Sequence, residues 1–306
     1  MELMYTSTRN ANEKVTASQA ILKGLAEDGG LFVPEQLPTL DKTVDELAGM
    51  TYQETAYEVM KKFLTDFTEE ELKNCINAAY DSKFDTEEIA PLVQADGAYY
   101  LELFHGSTIA FKDMALQLLP QFISTSLKKL GDKDELVILV ATSGDTGKAA
   151  LDGFKNVDQT KILVFYPQEG VSKIQRLQML TQQGDNVSVF AVKGNFDDAQ
   201  SGVKQIFSDS RYNEYLNEKG FKLSSANSIN WGRLLPQIVY YFSAYADLVN
   251  DKKITMGDKV NFTVPTGNFG DILAGFYAKC MGLPVNRLIC ASNSNNVLTD
   301  FLKTGT

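Results

Sequence analysis

The chain has 306 residues, 44% hydrophobic and 22% charged, the balance of a folded globular protein long enough for two or three domains of roughly 100–200 residues each. A formal net charge of −10, with no cluster of Lys and Arg, argues against a nucleic-acid binder, because phosphate backbones demand grouped cations. No apolar run approaches the ~20 residues of a membrane span, and the opening MELMYTSTRN lacks the basic and apolar regions of a signal peptide. Three widely spaced cysteines, Cys75, Cys280 and Cys290, contain no CxxC pair. They suit a reducing cytoplasm better than a disulfide framework, and no metal site is expected.

Up to about Val93 the sequence is a series of amphipathic stretches. A helix is expected from Ser18 to Ala26, a turn at EDGGLFVP, and helices at YQETAYEVMKKFL and TEEELKNCINAAY, the last opened by a threonine cap with glutamate three residues on. From Tyr99 the pattern changes. Short β-rich runs, YYLELF, LVILVA, KILVFY, VSVFAV, VNFTV and RLICAS, alternate with helical segments of ten or more residues. This alternation predicts parallel sheets in an α/β fold, with ligands bound beyond the carboxyl ends of the strands.

Within HGSTIAFKDMALQLLPQF the apolar residues Phe111, Met114, Ala115, Leu118, Leu119 and Phe122 recur at helical spacing, and Ala110, Leu116 and Ile123 fill much of the opposite side. Lys112 sits at the start of this helix. An unpaired buried ammonium tends to give up its proton, and the positive end of a helix dipole pushes the same way. A neutral lysine is a nucleophile. The other reading turns Lys112 outward to pair with Asp113 or a more distant carboxylate.

Two glycine-bearing loops follow strands. In LVILVATSGDTGKAALDGF a strand from Leu136 to Ala141 runs into Thr142, Ser143, Gly144, Asp145, Thr146 and Gly147. In VNFTVPTGNFGDILAGF a strand from Val260 to Val264 runs into Thr266, Gly267, Asn268, Phe269 and Gly270, then a helix from Asp271. Small hydroxyl residues, glycines and helix-start amides make an anion cradle, although either loop also reads as a plain strand-to-helix turn. A nucleotide P-loop fails on spacing, with Thr142 where the first glycine belongs and Ala149 where Ser or Thr should follow Lys148. A reactive lysine with two anion cradles points to pyridoxal phosphate chemistry.

The segments YTSTRN, ILKGLAEDGGLFVPEQLP, HGSTIAFKDMALQ, ATSGDTGKAALDGF, NSINWGRLLPQIVYYF and PTGNFGDILAGFYAKCMGLP resemble the threonine synthase family. The match runs in order along essentially the whole chain, with Asn10 replacing the family's more usual glycine. The resemblance implies the tryptophan-synthase-β-like fold of pyridoxal-phosphate enzymes (fold type II), with a mostly helical N-terminal unit at 1–94. It further implies a large cofactor domain formed by 95–135 and 255–306 and a small α/β domain at 136–254. Lys112 would bind the cofactor covalently and act as the base, and Gly267, Asn268, Phe269, Gly270 and Asp271 would hold its phosphate or position that loop. Ser143, Gly144, Asp145 and Thr146 would receive the substrate carboxylate. An acidic protein taking a dianionic substrate needs local cations, for which Lys148, Arg233 and His105 are the candidates. The other reading of Arg233 is half of a surface ion pair.

The implied reaction converts O-phospho-L-homoserine and water to L-threonine and phosphate in the cytoplasm, in a monomer or weak homodimer without nucleic-acid or membrane partners. Two rivals stay open. One is a dehydratase or cysteine-synthase-like enzyme of the same fold. The other is a non-catalytic remnant, since family members continue well beyond the position of Thr306 and carry there the hydroxyl partner of the cofactor's ring nitrogen.

Overall fold

Short capped helices around a small sheet build the N-terminal unit in the structure, a computed structural model that describes residues 2–305. Strand β1 (Tyr5–Ser7) pairs antiparallel with β2 (Lys14–Val15) on one edge and β3 (Phe32–Pro34) on the other. Strands of two or three residues leave no periodic trace, so this sheet is not legible in the sequence. Helices α1 (Ala17–Lys23), α2 (Val44–Leu47), α3 (Tyr52–Met60) and α4 (Glu69–Ala79) each start at a threonine, Thr16, Thr43, Thr51 and Thr68. In all four the hydroxyl accepts the amide three residues on, and a Gln or Glu there returns the bond. Such boxes satisfy the amides a helix leaves open at its start and contribute about 1 kcal/mol each. Helix α1 stops short of Ala26 because Gly24, at φ 69, turns the chain.

The run YYLELF was expected as a strand of the α/β part and instead supplies one arm of a hairpin. Strands β4 (Leu92–Ala95) and β5 (Ala98–Leu101) pair antiparallel. Asp96 and Gly97 between them both have positive φ, the two-residue turn that matches strand twist. Next comes α5 (Asp113–Leu116), then α6 (Leu119–Leu130). The single helix expected here is split because Pro120, in the first turn of α6, cannot bond back to Leu116.

Strands β6 (Glu135–Ala141), β7 (Thr160–Pro167), β8 (Val187–Val192) and β9 (Phe221–Ser225) form one parallel sheet in the order β8-β7-β6-β9. Helices α7 (Asp145–Phe154), α8 (Lys173–Leu180), α9 (Phe196–Ser208) and α10 (Ser210–Glu218) connect them. Along β6, Leu136, Ile138 and Val140 join the main core with Ala150 and Phe154 of α7, while Leu139 and Ala141 pack with Ala199 and Val203 of α9. This is the two-residue alternation of a strand covered on both faces. Gly153 lets α7 lie against α5: an added Cβ would stand 2.1 Å from the Leu116 carbonyl oxygen that Pro120 leaves free.

The remaining elements are α11 (Trp231–Leu234), α12 (Pro236–Asn250), β10 (Val260–Pro265), α13 (Gly270–Cys280), β11 (Val285–Ala291) and α14 (Val297–Thr304). Strands β10 and β11 are a parallel pair. Helix α12, buried along nearly its whole length, packs on α2, α3 and α13. Trp231 packs at tilted and edge-on angles against Tyr5, Phe63 and Tyr277, with ring centres 5.3–5.5 Å apart. One aromatic side chain thereby ties the N-terminal unit to α13. No helix among the described residues is long and apolar enough to cross a membrane.

Candidate active site

Strands β6 and β10 each end in a glycine loop that opens a helix. In the first loop the buried Thr142 hydroxyl accepts the amides of Gly144 and Gly147 at 3.0 and 2.9 Å and sits 3.2 Å from the Gly144 carbonyl. A Cβ on Gly144 would stand 2.6 Å from the Gln175 side chain of α8, which would have to shift. The Gln175 amide in turn donates to the Asp145 carboxylate, so α8 fixes the direction of that carboxylate.

The helices after these loops start without a side-chain cap, as α5, α6, α12 and α14 also do. Helices α1 to α4 and α9 carry capping boxes, and α8 and α10 are capped by Ser172 and Asp209. No side chain caps α7 or α13. Helix starts without a cap present open amides and a positive dipole end, the common anion receptor. At α13 the one negative group is restrained: Asp271 Oδ1 accepts the Tyr240 and Tyr241 hydroxyls at 2.6 and 2.9 Å. Burial and the Asp271 charge raise both phenol pKa values, which keeps them donors. Gly267 faces open space. It borders a cavity of about 530 Å³ beyond the carboxyl ends of β10 and β11, shared with Thr266, Cys290, Asn293 and Val297.

Lys112 stands immediately before α5, with Nζ 4.0 Å from the centre of the Phe111 ring. Burial pushes its pKa down to about 8; Arg233 pushes in the same direction, while Asp145 and Asp271 oppose it. Pairing with Asp113 does not occur. That carboxylate is fully buried and accepts the Thr108 amide at 2.8 Å and the Thr108 hydroxyl at 2.7 Å. Gly106 closes over it, where a Cβ would stand 2.6 Å from Oδ2. The HGST segment therefore wraps Asp113 and leaves Lys112 without an ion pair among the described residues.

Arg233 is not a surface residue. It is 2% exposed; Nη1 donates to the Ala226 carbonyl at 2.7 Å, Nη2 to the Thr146 hydroxyl at 3.3 Å, and Nε has no partner. No carboxylate pairs with it among the described residues. Burial pushes its pKa down to about 10, which leaves it charged at neutral pH. A buried cation without a counter-ion costs several kcal/mol, and an anion beside Thr146 would relieve that cost. Lys112, Asp145, Thr146, Arg233 and Asp271 are thus brought together from four parts of the chain.

Two candidates are engaged otherwise. Lys148 donates to Gln182 and lies 3.7 Å from Asp152. His105 sits between Asp85, 2.5 Å from Nδ1, and Glu102, 3.0 Å from Nε2. Burial lowers its pKa, but Glu102 and Asp85 outweigh this and raise it. The sign is that of a raised histidine: its stabilisation is full below the unfolded pKa of about 6.5 and is lost as pH rises through the folded value. The melting-temperature loss in His105→Gln is expected to be larger at pH 6 than at pH 9. An equal loss at both would contradict the clamp.

Sequence reasoning passed over Asn227 and Ser228. The Asn227 amide donates to the Ala141 carbonyl at 2.9 Å and its oxygen accepts the Ala141 amide at 3.3 Å, extending the ladder on β6 after β9 has ended. Ser228 lies where a Cβ on Gly270 would approach to 3.5 Å. Both occur in the quoted NSINWGR motif, but nothing in its spacing marks them.

A half-buried lysine of lowered basicity beside two uncapped helix starts, on parallel sheets with a capped helical N-terminal unit, is the arrangement of the pyridoxal-phosphate proteins of fold type II. Residues 4–80 match the family model "Threonine synthase N terminus". Human "Threonine synthase-like 1" is 44% identical over 320 residues, covering 98% of this chain and 43% of that protein. The crystal structure of PLP-bound threonine synthase from Brucella melitensis superposes with a TM-score of 0.86 at 40% identity, over 99% of this chain and 63% of that one. The Escherichia coli threonine synthase structure gives 0.85 at 35% identity, over 99% and 67%. The chain belongs to the threonine synthase family. It spans less than half the length of the human relative.

Proposed function

We propose that this chain carries the threonine synthase reaction, in which O-phospho-L-homoserine and water become L-threonine and phosphate, with pyridoxal 5′-phosphate held on Lys112. The observation that carries this reading is the convergence on one half-buried amine of Arg233, Asp145 and Asp271, three charged groups from three separate segments. The residues fit the cofactor and a phosphorylated substrate: an amine of lowered basicity, two open helix starts, and a buried guanidinium lacking its anion. When bound, pyridoxal phosphate supplies an electron sink for negative charge developing at the substrate Cα.

The chain's own groups do the rest. Lys112 Nζ, with a pKa of about 8, is near the value at which it can both take and return a proton at neutral pH, and we assign it the protons at Cα and Cβ. The amides and hydroxyls of Ser143, Gly144, Asp145 and Thr146 receive the substrate carboxylate. Arg233, already bonded to Thr146, receives the phosphate that leaves Cγ. Gly267, Asn268, Phe269 and Gly270 hold the cofactor phosphate, with Asp271 drawn aside by its two tyrosines. We place the domains at 1–94, 95–135 with 255–306, and 136–254, and the protein in a reducing cytoplasm, which suits its free Cys75, Cys280 and Cys290.

The test is to load the protein with pyridoxal phosphate, reduce with borohydride and map the modified peptide, then offer O-phosphohomoserine and, separately, serine. Label on Lys112 with phosphate released and no pyruvate from serine is the expected result. No label, or label on another lysine, overturns the site. Label on Lys112 without phosphate release identifies a ligand-binding relative without turnover, and pyruvate from serine a dehydratase.

A further inference from the structure

The turn that bears Arg233 is moulded by the N-terminal unit. Helix α11 has only four residues, too few to hold its own geometry. Its shape comes from Asn230, which is fully buried. The Asn230 oxygen accepts the Gly232 amide at 2.8 Å, and its main-chain carbonyl accepts the Arg233 amide at 3.0 Å. Both protons of its side-chain amide are also used, one on the Ile21 carbonyl of α1 at 3.0 Å and one on the Ser225 carbonyl ending β9 at 2.9 Å. The Ile21 carbonyl is among the last four of α1, which the helix itself cannot satisfy. The fit is tight on both sides of this bond. A Cβ on Gly24 would lie 3.1 Å from the Asn230 amide, and one on Gly232 would lie 2.8 Å from Leu119 and 3.1 Å from Ile21.

We infer that Asn230 is a positioning residue, through which α1 of the N-terminal unit sets where the Arg233 guanidinium stands and hence how strongly the site holds a phosphate group. The inference rests on the proposed role of Arg233. Because Arg233 is also one of the groups acting on Lys112, a displaced guanidinium changes the basicity of that amine as well. The N-terminal unit thus contributes to the site without supplying a side chain to it.

Asn230→Ser separates the two duties of the residue, since a serine still caps α11 but cannot reach Ile21 and Ser225. In the full chain loaded with pyridoxal phosphate, inorganic phosphate binding is measured by calorimetry, and the Lys112 amine is titrated by NMR in the cofactor-free chain. Asn230→Ser is expected to weaken phosphate roughly tenfold and to move the Lys112 titration upward. Gly24→Ala, strained at φ 69, presses on Asn230 together with Ser224 and Ser225 from the α1 side and should act in the same direction. A purely structural residue would lower the melting temperature and leave both readouts at wild-type values. That outcome, in whichever of the two variants folds, overturns the inference. Phosphate binding by the wild type that Arg233→Met abolishes and Asn230→Ser leaves intact overturns this inference alone, whereas a wild type that binds no phosphate overturns the reading of Arg233 with it.

Discussion

Lys112→Met is expected to abolish turnover and yet make the cofactor-free protein more stable. Removing the base and covalent anchor should cost at least roughly 10³-fold in rate, the usual scale for general-base catalysis, measured as phosphate release from O-phosphohomoserine. The stability gain follows from the depressed pKa. Between about pH 8 in the folded chain and about 10.4 in the unfolded one, the unfolded state holds the extra proton, so wild-type stability rises with pH across that window. Below pH 8 the full penalty of a half-buried ammonium is present. Methionine fills similar volume without the charge, so at pH 7 the variant should be more stable by up to about 3 kcal/mol, and the difference should shrink toward zero near pH 10.5. Denaturant unfolding at pH 7 and pH 10 checks it. A variant less stable at pH 7 would contradict the burial of Lys112.

Arg233→Met separates binding from folding in the same way. A buried cation without a carboxylate partner is worth little to stability, because its desolvation is uncompensated until an anion arrives. Its loss forfeits the bond to the Ala226 carbonyl, which costs about 1 kcal/mol, but also removes the unpaired charge. Melting temperature should therefore hold or rise, while KM for the phosphorylated substrate rises about 100-fold through loss of a charge-assisted phosphate contact. With the repulsion from Arg233 gone, the Lys112 titration should move upward. Steady-state kinetics and thermal unfolding of one preparation decide this. Unchanged KM with a large loss of stability would make Arg233 a structural residue.

The chemistry of the site was more legible in the sequence than its support. The strands flanking both loops, the loops themselves and the odd position of Lys112 are local patterns, and their spacing carried them. Long-range ties had no such trace. Asn230 reaches Ile21, 209 residues away, and Asn227 reaches Ala141, 86 residues away; an asparagine in a loop reads as a turn residue until its partners are known. Arg233 could be read as half of a surface ion pair because burial of a charged residue depends on what closes over it, here with Thr146 and Ala226 as the guanidinium's partners. Strand β9, FKLSS, escaped because its outer residues are only half-buried and its pattern alternates weakly. His105, the single histidine, drew attention by its rarity, but two neighbouring carboxylates hold it. Pro120 was in plain view within the helical run, and its effect of splitting α5 from α6 follows from the missing amide alone.

The central claim is that burial first, and the Arg233 charge second, lower the basicity of a half-buried Lys112 at which Asp145 and Asp271 pull the other way. Titration of the Lys112 amine by NMR, in cofactor-free protein with isotope-labelled lysine and Lys112→Met for assignment, tests it most directly. A resonance titrating at about 8, and moving upward in Arg233→Met, is the required result; titration at about 10.4, the value of a solvated lysine, with no response to Arg233 would contradict it.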